Sequence, residues 1–320
     1  MRLFSHPLLC NYYLTYRCNA KCGFCDIWEK PSPYVDLKEF EHNLLDLKRL
    51  KVGVIDFTGG EPLLHRELGT MLEMAKNQGF ITTVTTNTLL YPKYSETLVG
   101  KVDMLHFSLD SPHKLVHNQS RGVECYDHIL KSIEIAKNLG ERPDILFTTM
   151  DENVGDIELV YREITQPNGL LLLLNPLFQY NAVGGNINST YFKTLRSWAN
   201  KPNVYINEAF LTLREMGGNQ IDKPICRAGS TTIVITPDNK LRLPCYHLGA
   251  QEIPIQNRLY EIWHSKEAQQ WIQQEGRLPT CQGCAINCYM QPSFTYETSP
   301  FFWEALPSTI KYSLEKWCYA

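Results

Sequence analysis

The chain has no excess of charge of one sign: 31 Lys and Arg stand against 34 Asp and Glu, a formal net charge of −3 over 320 residues. A nucleic-acid or anionic-lipid binder normally carries a basic excess or stripe, so neither partner is expected. No apolar run approaches the roughly 20 residues needed to span a bilayer. The opening Met1-Arg2-Leu3-Phe4-Ser5 lacks the charged and apolar regions of a signal peptide, and polar His6 and Asn11 follow at once. No membrane and a cytoplasmic location are the expectations. Internal repeats and low-complexity segments are also missing, beyond a βα period.

Cysteine, by contrast, is plentiful, with 11 residues. In a reducing compartment clustered thiols point to metal or redox chemistry rather than a disulfide framework. The 43% hydrophobic and 20% charged composition can bury one large α/β core and leave residues for a small second domain.

Apolar or β-branched runs alternate with helical periodicity six times, the pattern of βα units on a parallel sheet. Strands are expected at Leu8–Tyr16, Val52–Phe57, Phe80–Thr85, Met104–Leu109, Ile145–Met150 and Leu170–Leu174. Helices are expected between them, the first at Leu37–Leu50, where Asp36 and Glu39 form a capping-box pattern before Phe40, Leu44, Leu47 and Leu50. The expected fold class is α/β: a partial (β/α)6 barrel of TIM type over residues 1–205, with ligands at the carboxyl ends of its strands. Residues 206–320 are expected to form a small α+β cysteine-rich domain with a hairpin at Thr231–Leu243 turning on Pro237-Asp238-Asn239.

Directly after the first strand, Cys18, Cys22 and Cys25 lie within eight residues on a loop. Zinc would want a fourth protein ligand, and no Cys or His follows closely; an iron–sulfur cluster tolerates an open iron. Zinc stays open on this loop alone. The spacing, with aromatic Phe24 before the last cysteine, resembles the motif of the radical SAM superfamily. That resemblance implies that Cys18, Cys22 and Cys25 hold three irons of a [4Fe–4S] cluster and that the fourth iron binds S-adenosylmethionine. Phe24 would lie along the adenine; its plain alternative is a core aromatic.

After the second strand come Gly59, Gly60 and Glu61, then Pro62. Alone this is a turn in which paired glycines let backbone approach a ligand. By resemblance it is the site of the methionine amino group. Asn87 lies in Thr85-Thr86-Asn87-Thr88, where Thr88 replaces the glycine of the family's Thr-Asn-Gly. Ser108 and Asp110 resemble the family's Ser-x-Asp, which approaches the ribose or methionine carboxylate, and Arg121-Gly122 its Arg-Gly. Arg121 suits bidentate pairing with a carboxylate, or is an ordinary surface arginine. Asn175-Pro176-Leu177-Phe178-Gln179-Tyr180 offers further polar groups after the sixth strand.

Five more cysteines follow: Cys226, Cys245, Cys281, Cys284 and Cys288. A hairpin with Cys-x-x-Cys reads as a zinc ribbon in isolation. Behind the first motif, Cys226-Arg227-Ala228-Gly229 and Pro244-Cys245 resemble the opening of SPASM and twitch auxiliary domains. Five thiols are too few for two extra clusters. The resemblance therefore implies the twitch type with one auxiliary [4Fe–4S] cluster on Cys226, Cys245, Cys281 and Cys284, and Cys288 as an alternate ligand or free thiol. Cys10, Cys125 and Cys318 are expected to be small buried hydrophobes.

The family resemblance implies reductive cleavage of S-adenosylmethionine to a 5′-deoxyadenosyl radical that takes a substrate hydrogen atom, with flavodoxin or ferredoxin as reductant. The expected substrate is a ribosomally synthesised precursor peptide, cross-linked or excised in splicease fashion and presented by a separate small recognition protein. Dehydrogenation or rearrangement of a small molecule is the alternative; a non-catalytic iron–sulfur carrier or sensor is the alternative of another class. The aromatic tail (Tyr289, Phe294, Tyr296, Phe301, Phe302, Trp303) either lines a peptide groove or packs against the barrel.

Overall fold

A computed structural model describes residues 1–177 and 189–318. In chain order the elements are β1 (Leu9–Thr15), α1 (Leu37–Arg49), β2 (Val54–Gly59), α2 (Leu68–Asn77), β3 (Ile81–Thr86), α3 (Tyr91–Leu98), β4 (Met104–Ser108), α4 (Lys114–Arg121), α5 (Tyr126–Asn138) and β5 (Asp144–Thr149). Then come α6 (Ile157–Val160), a π-turn over Tyr161–Thr165, α7 (Gln166–Asn168), β6 (Leu172–Pro176), α8 (Ser189–Trp198), β7 (Val204–Tyr205) and α9 (Glu208–Glu215). The remainder holds α10 (Ala228–Thr231), β8 (Thr232–Ile235), β9 (Lys240–Leu243), β10 (Gln251–Pro254), α11 (Leu259–Trp263), α12 (Lys266–Ile272), α13 (Asn287–Tyr296) and α14 (Pro300–Trp317).

Among the described residues the strands form one sheet in the order β10-β9-β8-β1-β2-β3-β4-β5-β6-β7. All pairs from β8 to β7 are parallel; β9 and β10 continue it antiparallel. All six expected strands exist, each displaced by no more than a few residues. The hairpin also exists as β8 and β9, but it does not stand apart from the parallel strands. Thr232–Ile235 pairs in parallel with Leu9–Tyr12, so the later segment extends the first sheet. Sequence periodicity carries no information on which strand a hairpin joins.

Strand alternation sorts β1 onto two cores. Cys10, Tyr12 and Leu14 face the helices and join Phe40, Leu44, Leu47, Ile55 and Phe57. On the other face Tyr13 and β8's Val234 meet Phe210, Leu213, Ile286, Tyr289, Met290, Phe294 and Phe301. This second core seals the C-terminal segment to the sheet, and it accounts for Tyr289, Phe294 and Phe301 of the aromatic tail as packing, whereas Trp303 is exposed. α1 follows the sequence closely: Asp36 accepts from the amides of Lys38 and Glu39 at 2.9 and 3.1 Å, a cap contributing about 1 kcal/mol.

β7 ends the sheet, and α14 covers it. Lys311 donates to the carbonyls of Ala199 and Val204 at 2.8 and 2.9 Å, and the Tyr205 and Tyr312 rings lie 5.2 Å apart. Lys316 reaches the buried Asp144 of β5 at 2.8 Å, and the Tyr312 hydroxyl donates to the same carboxylate at 2.8 Å. Burial alone would raise Asp144, but His106 and Lys316 hold it below the usual carboxylate range. No helix among the described residues is long and apolar enough to cross a membrane.

Candidate functional site

The cysteine loop leaves the carboxyl end of β1 and is gripped from two sides. The amides of Gly60 and Glu61 donate to the carbonyls of Thr15 and Arg17 at 2.8 and 2.9 Å. A Cβ on Gly59 or Gly60 would stand 2.1 Å from those same oxygens, and Gly59 has φ +129°. The glycines therefore open room for the root of the loop. From the other side Lys21 and Gly23 donate to the carbonyls of Arg121 and Ser120 at 3.0 and 3.1 Å. Gly122 (φ +63°) would place a Cβ 2.4 Å from the Lys21 oxygen.

Cys18, Cys22 and Cys25 are all half-buried and unpaired. Burial pushes Cys18 up to about 12, and Cys22 and Cys25 add to it by their own charge. Cys25 is raised by burial first and then by Cys22. Buried thiols crowded together stay protonated on their own; cationic iron reverses that preference. The donor set thus fits a metal cluster held by soft sulfur.

Glu61 does not present a free acceptor. Its Oε1 accepts from the Leu63 amide at 3.1 Å and the Thr86 hydroxyl at 2.8 Å, and its Oε2 from the Asn87 amide at 2.9 Å. Burial pushes this carboxyl up to about 7 against those bonds. Its visible work is to fix Asn87, whose amide donates to Asn19 Oδ1 at 2.7 Å and lies 4.0 Å from the Cys18 sulfur. Thr88 sits in the left-handed region at φ 67°, and its buried hydroxyl has no partner.

Asp110 and Arg121 already have each other: Nε to Oδ2 is 2.6 Å, and both are buried. Asp110 also accepts from the Thr148 amide at 3.0 Å. Burial would lower the Arg121 guanidinium, but Asp110 and then Cys22 hold it above its ordinary value. The guanidinium lies 5.3 Å from the Phe24 ring centre and 3.9 Å from the Cys22 sulfur. It is a buried clamp on the loop, neither a surface arginine nor an unpaired one. Ser108 is buried beside them. Of the 175–180 stretch, Phe178, Gln179 and Tyr180 lie outside the described residues.

The second cysteine set is gathered by a residue that spacing did not single out. Asn219 accepts from the amides of Ile225 and Cys226 at 3.0 and 3.2 Å and donates to the carbonyls of Gly276 and Cys281 at 2.8 and 3.1 Å. Its own amide donates to the Cys284 carbonyl at 2.9 Å. The preceding Gly218 would drive a Cβ to 2.3 Å from the Gly283 oxygen. Cys226, Cys245, Cys281 and Cys284 are all raised by burial, Cys245 to about 12 and Cys284 to about 11. Cys226 and Cys245 both feel the charge of Cys284. Cys288 is exposed, and its sulfur lies 3.9 Å from His247 Nε2. Among the described residues no three His, Cys, Asp or Glu side chains converge as ligands of a single ion; a four-iron cluster, with one thiolate per iron, requires no such convergence. Cys10 and Cys125 are buried as expected, whereas Cys318 is exposed.

Polar residues on the sheet face opposite the helices were missed. Thr83 donates to Asp56 at 2.7 Å, and the Thr85 hydroxyl meets His106 Nδ1 at 3.1 Å. The first turn of α13 crosses this face: Asn287 bonds Asn175 of β6, and Tyr289 bonds Asn11 of β1 and accepts from the Tyr246 amide at 2.8 Å. The available signal was Asn11, Asp56 and His106 interrupting strands of a parallel sheet, which are ordinarily apolar on both faces.

The sequence profile of the Radical SAM superfamily matches residues 12–164. The chain is 30% identical over 167 residues to an S-adenosylmethionine-dependent nucleotide dehydratase of Selenomonas ruminantium, covering 48% of this chain and 61% of that one. It is 26% identical over 266 residues to a probable GTP 3′,8-cyclase of Sulfurisphaera tokodaii, covering 77% and 83%. Streptococcus suis SuiB bound to precursor peptide SuiA superposes with a TM-score of 0.68 at 18% identity, over 93% of this chain and 74% of SuiB.

Proposed function

Taking as premise that the chain carries a radical SAM domain and is an enzyme, we propose that it modifies a ribosomally synthesised peptide by removing a hydrogen atom from it. When bound, S-adenosylmethionine and a [4Fe–4S] cluster supply the adenosyl radical for such chemistry. Cys18, Cys22 and Cys25 hold that cluster. Phe24, Asn87 and Ser108 border the cofactor, Glu61 fixes Asn87, and Arg121 with Asp110 keeps the loop in place.

The observation that carries the peptide reading is the set of polar side chains on the sheet face opposite the helices and on the first turn of α13 that crosses it. Asn11, Asn175, Asn287, Thr83 and Thr85 are neutral donors and acceptors, His106 lies beside Thr85, and Asp56 is a half-buried acid that burial raises. Such a surface suits backbone amides. A nucleotide, the substrate class suggested by the names of two relatives, calls for several converging cations at its phosphates. The likeness to SuiB with its precursor peptide supports the same choice. A flat sheet would separate β1 from β6 by roughly 24 Å, yet residues 287 and 289 bond both, which supports the reading of the sheet as a partial barrel. In this reading residues 206–320 act as a twitch-like domain with one auxiliary cluster on Cys226, Cys245, Cys281 and Cys284, fed by flavodoxin or ferredoxin, and a separate small protein presents the peptide.

The test is anaerobic reconstitution and dithionite reduction with S-adenosylmethionine, reading 5′-deoxyadenosine and peptide mass in wild type and in Cys18/Cys22/Cys25→Ala. Deoxyadenosine lost in the variant, with a mass change in a candidate peptide, is expected. Turnover of a nucleotide with no peptide changing mass would reject the peptide reading.

A further inference from the structure

α14 is built inside out. Glu304 accepts from the Thr212 hydroxyl, Lys311 donates to three backbone carbonyls, Glu315 accepts from the Asn203 amide at 3.0 Å, and Lys316 is only 6% exposed against Asp144. Its charges thus face the protein. The outer face presents Trp303, Ile310, Leu314 and Trp317 at 63, 49, 44 and 51% exposure, with exposed Pro307 among them. An ordinary surface helix has the reverse arrangement. The steps 303, 307, 310, 314 and 317 alternate four and three residues, the spacing of a helix–helix seam. No charged side chain interrupts them.

We propose that this face joins two copies of the chain in a twofold dimer, α14 lying against α14 of the second copy with the axis near Ile310. Three observations select a second copy as occupant. The order Trp, Pro, Ile, Leu, Trp reads nearly the same in both directions about Ile310, as an isologous contact between antiparallel helices requires. At about half exposure the four large side chains offer on the order of 400 Å² of apolar surface, the size of a functional patch. Two copies with their helix rims bury on the order of 1,000 Å², the threshold for a specific interface. A lipid surface is disfavoured by charge: interfacial helices flank the apolar face with free Lys or Arg, whereas Lys311 and Lys316 are turned inward.

The experiment is sedimentation velocity on the reconstituted full chain across micromolar to tens-of-micromolar concentration, for wild type, Ile310→Glu and the control Leu130→Glu on α5. Vesicle co-sedimentation with phosphatidylcholine and phosphatidylglycerol runs alongside. Wild type and the control are expected at twice the 36.9 kDa chain mass. Ile310→Glu sets like charges opposite each other at the axis and should raise the dimer dissociation constant at least about 100-fold, with iron content and circular dichroism unchanged. A monomeric wild type, an Ile310→Glu protein that stays dimeric, or vesicle binding lost in Ile310→Glu without any wild-type dimer would each overturn the proposal.

Discussion

The two cysteine sets are assembled by opposite means. The first is contiguous, and the fold grips it from outside: Gly60 and Gly122 admit carbonyls of the loop at distances no side chain would allow. The second is scattered, and one buried amide, Asn219, collects the backbone of Cys226, Cys281 and Cys284 from within. A contiguous site depends on the space around it, a scattered one on a hub. Damage to either should therefore be separable.

The sharpest break is Gly60→Ala. A Cβ 2.1 Å from the Arg17 oxygen must displace the loop, so S-adenosylmethionine cleavage should fall about 100-fold or more while the iron bound by the second set persists. Deoxyadenosine yield and iron per chain read both. Next in size is a variant remote from both sets. Lys316→Met leaves Asp144 buried without its cation and should cost about 3–5 kcal/mol, with both sets still binding iron. In wild type the carboxyl is held below its unfolded value, so its stabilisation is complete at neutral pH and disappears only as pH falls through the depressed folded value. In the variant only His106 still opposes burial, so the carboxyl rises from its depressed value and part of that stabilisation is lost. The urea-midpoint defect should then be full at neutral pH and shrink as pH falls below about 4, where the unfolded carboxylate takes up its proton.

Asn219→Ala strands several buried backbone groups and should cost about 2–3 kcal/mol, losing iron from the second set while deoxyadenosine formation survives. Simultaneous loss of both activities would erase the contrast. The smallest effect is favourable. Thr88→Gly relieves a left-handed threonine and a buried hydroxyl without a partner, and should raise the melting temperature by an amount equivalent to about 1 kcal/mol.

These variants also mark what the sequence could disclose. Strand and helix periodicity located all six βα units, and three cysteines on one loop were legible because their chemistry is local. Asn219 was not, since it ligates nothing and acts only through backbone groups distant in sequence. The protein partners of Asp110 and Glu61 were hidden for a related reason: a motif names a residue beside a cofactor, and spacing does not reveal the protein donors that each carboxylate also accepts from. Thr88 was visible as a departure, but its φ was not. α14 ran against reading altogether, because its inward lysines resemble a solvated face and its outward tryptophans a core.

The parallel pairing of β8 with β1 bears on biosynthesis. Until Thr232–Ile235 leaves the ribosome, β1 carries the first cysteine loop with one whole edge of its backbone unpaired. Nascent chains stopped short of that point expose a sticky strand of the kind that seeds aggregation, so the loop's support and the sheet's solubility are completed in a single late event.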